Sequence, residues 1–223
     1  FRTPLMIASD EGHTEIVRLL LNHPGIQPNL QNSDFTTPLM IASVFGHTKI
    51  VELLLNHPGI NPNLQNNLGI TALSIASGKG YTEIVRLLLN YPGIQPNLQN
   101  SDRRTPLMIA SGKGHTKIVR LLLNHPEINP NIQNDDGITA LLVACVNEHS
   151  EIVKILTKHP EINPNIQRYD GESPLMIASY EGHTEIVELL LSHPSIEPNI
   201  RVNDGGESPL FESVTSFSGN TCL

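Results

Sequence analysis

The chain has 223 residues, a formal charge of −8, only 4% aromatic residues and no Trp. That length suits one ordinary domain or one extended array. The negative charge argues against a sequence-independent binder of nucleic acid or of an anionic membrane. The longest apolar runs, such as Ile84-Val85 and Leu87 to Leu89, are too short to span a bilayer, and no basic-then-apolar leader opens the chain. The missing initial Met reads as a fragment or a processed form. Cys145 and Cys222 have neither metal nor redox spacing, so a reducing, cytoplasmic or intracellular setting is expected, with a host-directed secreted effector as the other setting the sequence allows.

In chain order, the first block is Thr3-Pro4-Leu5-Met6-Ile7-Ala8-Ser9. Thr3 suits an N-cap, and Pro4 suits the first helical position because its missing N–H would be unpaired there. Gly12 then ends a short helix, since a left-handed residue costs least without a Cβ. Thr14 is expected to cap a second helix in which Ile16, Val17, Leu19, Leu20 and Leu21 form a wide apolar face and Arg18 points to solvent. His23-Pro24 stops that helix, because the residue before Pro is pushed out of the helical region. Gly25 to Thr36 is rich in Pro, Asn, Asp and Gly and reads as a long turn.

The same three blocks recur. Copies of the first begin at Thr37, Thr71, Thr105, Thr139, Ser173 and Ser208, a spacing of 34 residues five times and then 35. One helix pair cannot bury both of its faces, so successive pairs must stack.

This pattern resembles the ankyrin repeat family in its T-P-L-x-x-A opening, its G-H-T-E-I-V-x-L-L-L helix and its later P-N. The resemblance implies an all-α solenoid of helix-turn-helix pairs joined by β-hairpin loops, with six full repeats plus a partial terminal one. It covers nearly the whole chain as one array, with repeats at about 1–34, 35–68, 69–102, 103–136, 137–170 and 171–205, and a partial or capping repeat at 206–223. Two departures stand out. The family's usual His after T-P-L is Met6, Met40, Met108 and Met176 here, so its hydrogen bonds must come from elsewhere. The repeat is also one residue longer than the common 33, with the extra residue in His-Pro-Gly-Ile.

The two ends differ. In the last copy Glu212 occupies the column of Ile7, Ile41, Ile75, Ile109, Val143 and Ile177, which reads as a terminal cap. The first copy carries unsoftened core residues, so further repeats are expected to precede Phe1, and an apolar face open to self-association is expected at that end. The fifth copy is the most degraded. Glu148 replaces Gly, Thr157 replaces Leu, and local instability is the simpler reading.

No catalytic constellation emerges. The ten histidines fall in two columns, one starting second helices and one ending them. Within a repeat these columns lie ~15 Å apart, whereas a metal needs ligands about 2 Å from one ion. Capping and packing explain them, and no catalytic, cofactor or metal site is expected. Asn29, Asn63, Asn97, Asn131, Asn165 and Asn199 are expected to bond the loop backbone.

Columns that differ between copies can encode a partner. They are the loop tips and the last residues of first helices, which in the ankyrin family line a concave groove and are expected to be neighbours. Read along the stack they give Phe35 and Phe45, then Lys79, Arg103, Arg104 and Lys113, then Tyr169 and Tyr180. Aromatics and Arg commonly anchor interfaces, and a basic centre favours a protein partner with an acidic segment. The expected function is therefore a non-catalytic protein-binding scaffold. A self-associating structural solenoid and the targeting arm of a larger protein are the alternatives.

Overall fold

The computed structural model describes residues 1–202. Among them are twelve helices and no strand: α1 (Pro4–Asp10), α2 (Thr14–Leu21), α3 (Pro38–Phe45), α4 (Thr48–Leu55), α5 (Ala72–Lys79), α6 (Thr82–Leu89), α7 (Pro106–Gly112), α8 (Thr116–Leu123), α9 (Ala140–Val146), α10 (Ser150–Leu156), α11 (Pro174–Tyr180) and α12 (Thr184–Leu191). Each odd helix packs on the even helix that follows it. The odd helices form one row from α1 to α11, and the even helices a second row from α2 to α12.

The starts of the two rows differ. Thr3, Thr37, Thr71, Thr105, Thr139 and Ser173 each accept the backbone N–H of the third helical residue, as a side-chain cap should. Where the family's His is replaced, Met6 Sδ accepts the Thr3 N–H at 3.5 Å. Thr14 does not cap α2. It is the first helical residue, His13 holds the cap position, and none of the six even helices has a side-chain cap bond. The expected Thr cap fails because the Gly12 turn, left-handed at φ 74°, already commits His13 N to Ala8 O and Thr14 N to Gly12 O.

The core is a continuous aliphatic sheet of side chains between layers, including Leu39, Met40, Val51, Leu54, Leu73, Leu88, Leu107 and Leu122. Ile7 is 47% exposed and Ile16 48%, whereas their counterparts Ile41 and Ile50 are 8% and 1% exposed. At the other end Ile177 is buried while Leu175 and Met176 are partly exposed. The Ile7 column therefore faces the preceding pair, and Leu5 and Met6 face the following one. Glu212, with the rest of the expected partial copy, lies outside the described residues.

Candidate functional site

The turns between odd and even helices form one contiguous row, held together by histidine rings. His47 Nε2 lies 3.0 Å from Asp10 O, His115 Nε2 3.2 Å from Gly78 O, and His149 Nε2 3.3 Å from Gly112 O. These rings rest on the left-handed glycines of the preceding turn, where a Cβ on Gly12 or Gly80 would come within 2.9 Å of the imidazole. Tyr81 fills the same place over Gly46. The second histidine column closes the even helices: Nδ1 of His23, His57, His125, His159 and His193 accepts the backbone N–H two residues on. Among the described residues no group of three or more His, Cys, Asp or Glu could hold a metal ion.

Long loops connect the pairs through two side-chain ladders. Asn29 Nδ2 donates to Gly59 O at 2.6 Å while its Oδ1 accepts Asn61 N–H at 2.9 Å. Asn63, Asn97, Asn131 and Asn165 repeat both bonds onto the next loop. Gln65 and Gln133 each donate from Nε2 to a carbonyl of their own loop and to one of the next. These constant columns serve the scaffold.

The variable columns sit outside it. At the loop tips, the left-handed position is Gly69, Gly137 and Gly171 in three loops, but Phe35 (φ 59°) and Arg103 (φ 55°) in two. A side chain costs about 1 kcal/mol there, so the two tips that break the glycine rule carry an aromatic and an arginine under strain. Both are exposed, and Arg103 reaches Asp135 at 3.5 Å. Tyr169 is exposed, with its ring edge against Gly137.

Phe45, Lys79 and Tyr180 end odd helices, and Lys113 caps one; all four are exposed. Phe45 stacks on His47 with centroids 6.0 Å apart. The expectation that tips and helix ends are neighbours needs correcting. Arg103 and Arg104 precede the N-cap of α7 and Lys113 is its C-cap, so the length of that helix, about 10 Å, lies between them. The structure makes two rows, with Phe35, Arg103, Arg104 and Tyr169 on the tips, and Phe45, Lys79, Lys113 and Tyr180 along the turns.

Reading by columns missed Lys49 and Lys117. Both are exposed at the second position of an even helix. The signal was present, because Glu15, Glu83, Glu151 and Glu185 fill that position in the other pairs.

The architecture is a stack of helix pairs and so belongs to the class of helical repeat proteins. The sequence matches the family described as ankyrin repeats (3 copies) over residues 1–66, 58–134, 125–204 and 160–221. The chain belongs to the ankyrin repeat family.

Its fold is similar to that of the ankyrin repeat protein EF0377, at 29% identity and TM-score 0.80, covering 85% of this chain and 97% of that one. It is also similar to an ankyrin repeat domain from Acinetobacter baumannii AYE, at 28% identity and TM-score 0.79, covering 84% and 96%. The ankyrin repeat domain of Bcl-3, a member of the IkappaB family, gives 27% identity and TM-score 0.81 over 90% and 92%. No curated protein matches the sequence. Ankyrin repeats generally mediate protein–protein interaction and are not typically enzymes, and no described helix is long and apolar enough to cross a membrane.

Proposed function

We propose that this chain is a non-catalytic scaffold, one continuous array in an intracellular setting, that binds a protein partner through its loop tips and odd helices. The supporting observation is the division of labour among columns. Asn and Gln side chains that repeat from pair to pair, with His47, His115 and His149, are consumed in bonds between neighbouring pairs. Among the residues that vary, Phe35 and Arg103 are exposed and held at strained left-handed positions. Strain retained at a surface tip is a mark of function rather than of stability.

The test compares proteins retained by the immobilised chain with those retained by a variant carrying Phe35→Ala, Lys79→Glu, Arg103→Glu, Arg104→Glu and Lys113→Glu. Quantitative mass spectrometry should show a discrete set lost by the variant. Identical sets would sink the proposal.

A second reading, self-association end to end, is favoured by one observation: Ile7, Ile16 and Leu19 form an exposed apolar face on the first pair. Light scattering over a hundredfold concentration range decides it. A constant mass near 24.5 kDa removes that reading, and a mass that climbs with concentration puts it first.

A further inference from the structure

Among the described residues, the Lys and Arg ion pairs are all made by arginines, never by a lysine. Arg2 pairs with Asp10, Arg18 with Glu15, Arg86 with Glu83, Arg103 with Asp135, Arg120 with Glu151, and Arg168 with Asp170 and Glu172. Glu148 sits 3.6 Å from His183. Four exposed lysines without ion pairs, Lys49, Lys79, Lys113 and Lys117, belong to three adjacent helix pairs.

The histidine row brings them together. The His115 ring contacts Gly78 O and rests on Gly80, the two residues flanking Lys79. Lys113 and Lys117 lie two residues to either side of that histidine. Tyr81, two residues beyond Lys79, packs in the same way on Gly46, and Lys49 follows three residues later. The one acidic side chain at the start of an even helix in this stretch, Glu83, is engaged by Arg86 at 3.2 Å. Phe45, exposed and stacked on His47, closes the strip at its Lys49 end.

The row changes sign on both sides. Glu11 and Glu15 hold the lysine places in the first pair, and Glu151, Glu181 and Glu185 hold them in the fifth and sixth, with Asp10 and Glu148 one residue away from such a place. From these placements we infer that the turn row of the second to fourth pairs docks a short acidic peptide segment of a partner protein, with Phe45 taking an apolar residue at one end.

The inference rests on the scaffold reading and names the chemistry of one stretch of its partner. Lys49 to Lys117 spans two steps of the stack, roughly 16–20 Å at usual helix spacings, or about six extended residues. Acidic flanks set that limit. A long polyanion such as a nucleic acid duplex overruns into repulsion at either end, whereas a short acidic segment does not.

The probes are fluorescein-labelled peptides titrated with the full chain and followed by anisotropy at low salt: six glutamates followed by Phe, the same peptide with six glutamines, and fourteen glutamates. A 12-base-pair duplex is the fourth probe. Saturable binding is expected for the first, with no binding for the glutamine form and no gain from the longer acid or the duplex. Lys79→Glu with Lys113→Glu should weaken it about tenfold or more, as should raising salt to about 0.5 M, which shrinks the screening length severalfold. Lys154→Glu with Lys158→Glu, lysines outside the strip, should leave it within about twofold.

Absence of saturable binding overturns the inference. So does binding that is indifferent to Lys79→Glu with Lys113→Glu, or that rises with total probe charge. If peptide binding is lost on changing Phe35 and Arg103 to Gly instead, the tips are the acid site; the scaffold reading stands and the strip falls. If the peptide binds as described while partner capture is unchanged by the five-site variant, the scaffold reading falls and the strip stands.

Discussion

Cys145 is a single residue whose burial has a measurable consequence. Its thiol is buried in α9 and pushed up from 9.0 to about 12 by desolvation. The folded chain therefore holds this proton over an interval in which the unfolded chain releases it. Stability from this group is fully present below pH 9 and falls above it, by about 1.4 kcal/mol per pH unit until the folded thiol itself ionises. Urea unfolding of the native sequence and of Cys145→Ala should show a stability gap that is flat below pH 9 and narrows above it. A gap that stays constant to pH 11 would contradict the burial argument. Thiolate, not thiol, is the reactive form, so in a Cys222→Ser background Cys145 should resist alkylation at pH 8 until the chain unfolds.

Gly80 and Gly182 separate two effects at the same scale. Both are left-handed, at φ 80° and 75°, but a Cβ on Gly80 meets the His115 ring at 2.9 Å while none of the described residues comes within 4 Å at Gly182. Ala should cost about 1 kcal/mol at either position from backbone strain. At Gly80 it should cost about 1 kcal/mol more, since the displaced ring loses its bond to Gly78 O. Equal losses in chemical denaturation would show that the ring contact contributes nothing.

At the level of elements, the loops are tied as firmly as the helices, and the sequence told only half of that. Helix starts at Thr3-Pro4 and stops at His23-Pro24 are local signals, since a cap and a proline act within a few residues of themselves, and both were legible. The ladders were not. Asn97 bonds Glu127 O at 2.7 Å and Asn129 N at 3.1 Å, partners about thirty residues away. A repeat period names the column but not which neighbour it touches. The same gap explains why tips and helix ends were expected to adjoin: alignment orders columns without saying how far a helix separates them. Thr14 misled for the opposite reason, because a local cap signal was overruled by the turn preceding it.

Asn97→Ala removes both bonds of one rung and leaves a loop carbonyl and an N–H unpaired. The loss should be about 1–2 kcal/mol. It should appear as a lower urea midpoint with an unchanged slope, because the fold and the surface it exposes stay the same. A midpoint that does not move would mean that water replaces the rung at no cost.

For the whole molecule, stability is a sum of pair stabilities and of contacts between neighbouring pairs, because each pair touches only those beside it. The interior junctions are not equal. Three of them seat a histidine on a left-handed glycine of the preceding turn and bond its ring to the backbone. At the junction of the fifth and sixth pairs that glycine is Glu148, held at φ 55°, and His183 meets its carboxylate at 3.6 Å. A pair whose carboxylate is 73% exposed is worth about 0–1 kcal/mol, no more than the strain it sits on. The fifth pair also has Thr157 in place of a leucine, its hydroxyl turned back to Val153 O. Hydrogen exchange should therefore report the slowest amides in α4 to α8, with α10 and α12 opening together at lower free energy as a separate unit. Glu148→Gly should raise protection in α10 and α12 by about 0.5–1 kcal/mol, the strain relieved less the entropy that glycine adds, and leave α4 to α6 unchanged. Uniform protection from α2 to α12, or a change that spreads evenly along the stack, would mean that the array unfolds as one cooperative body and that Glu148 marks no boundary within it.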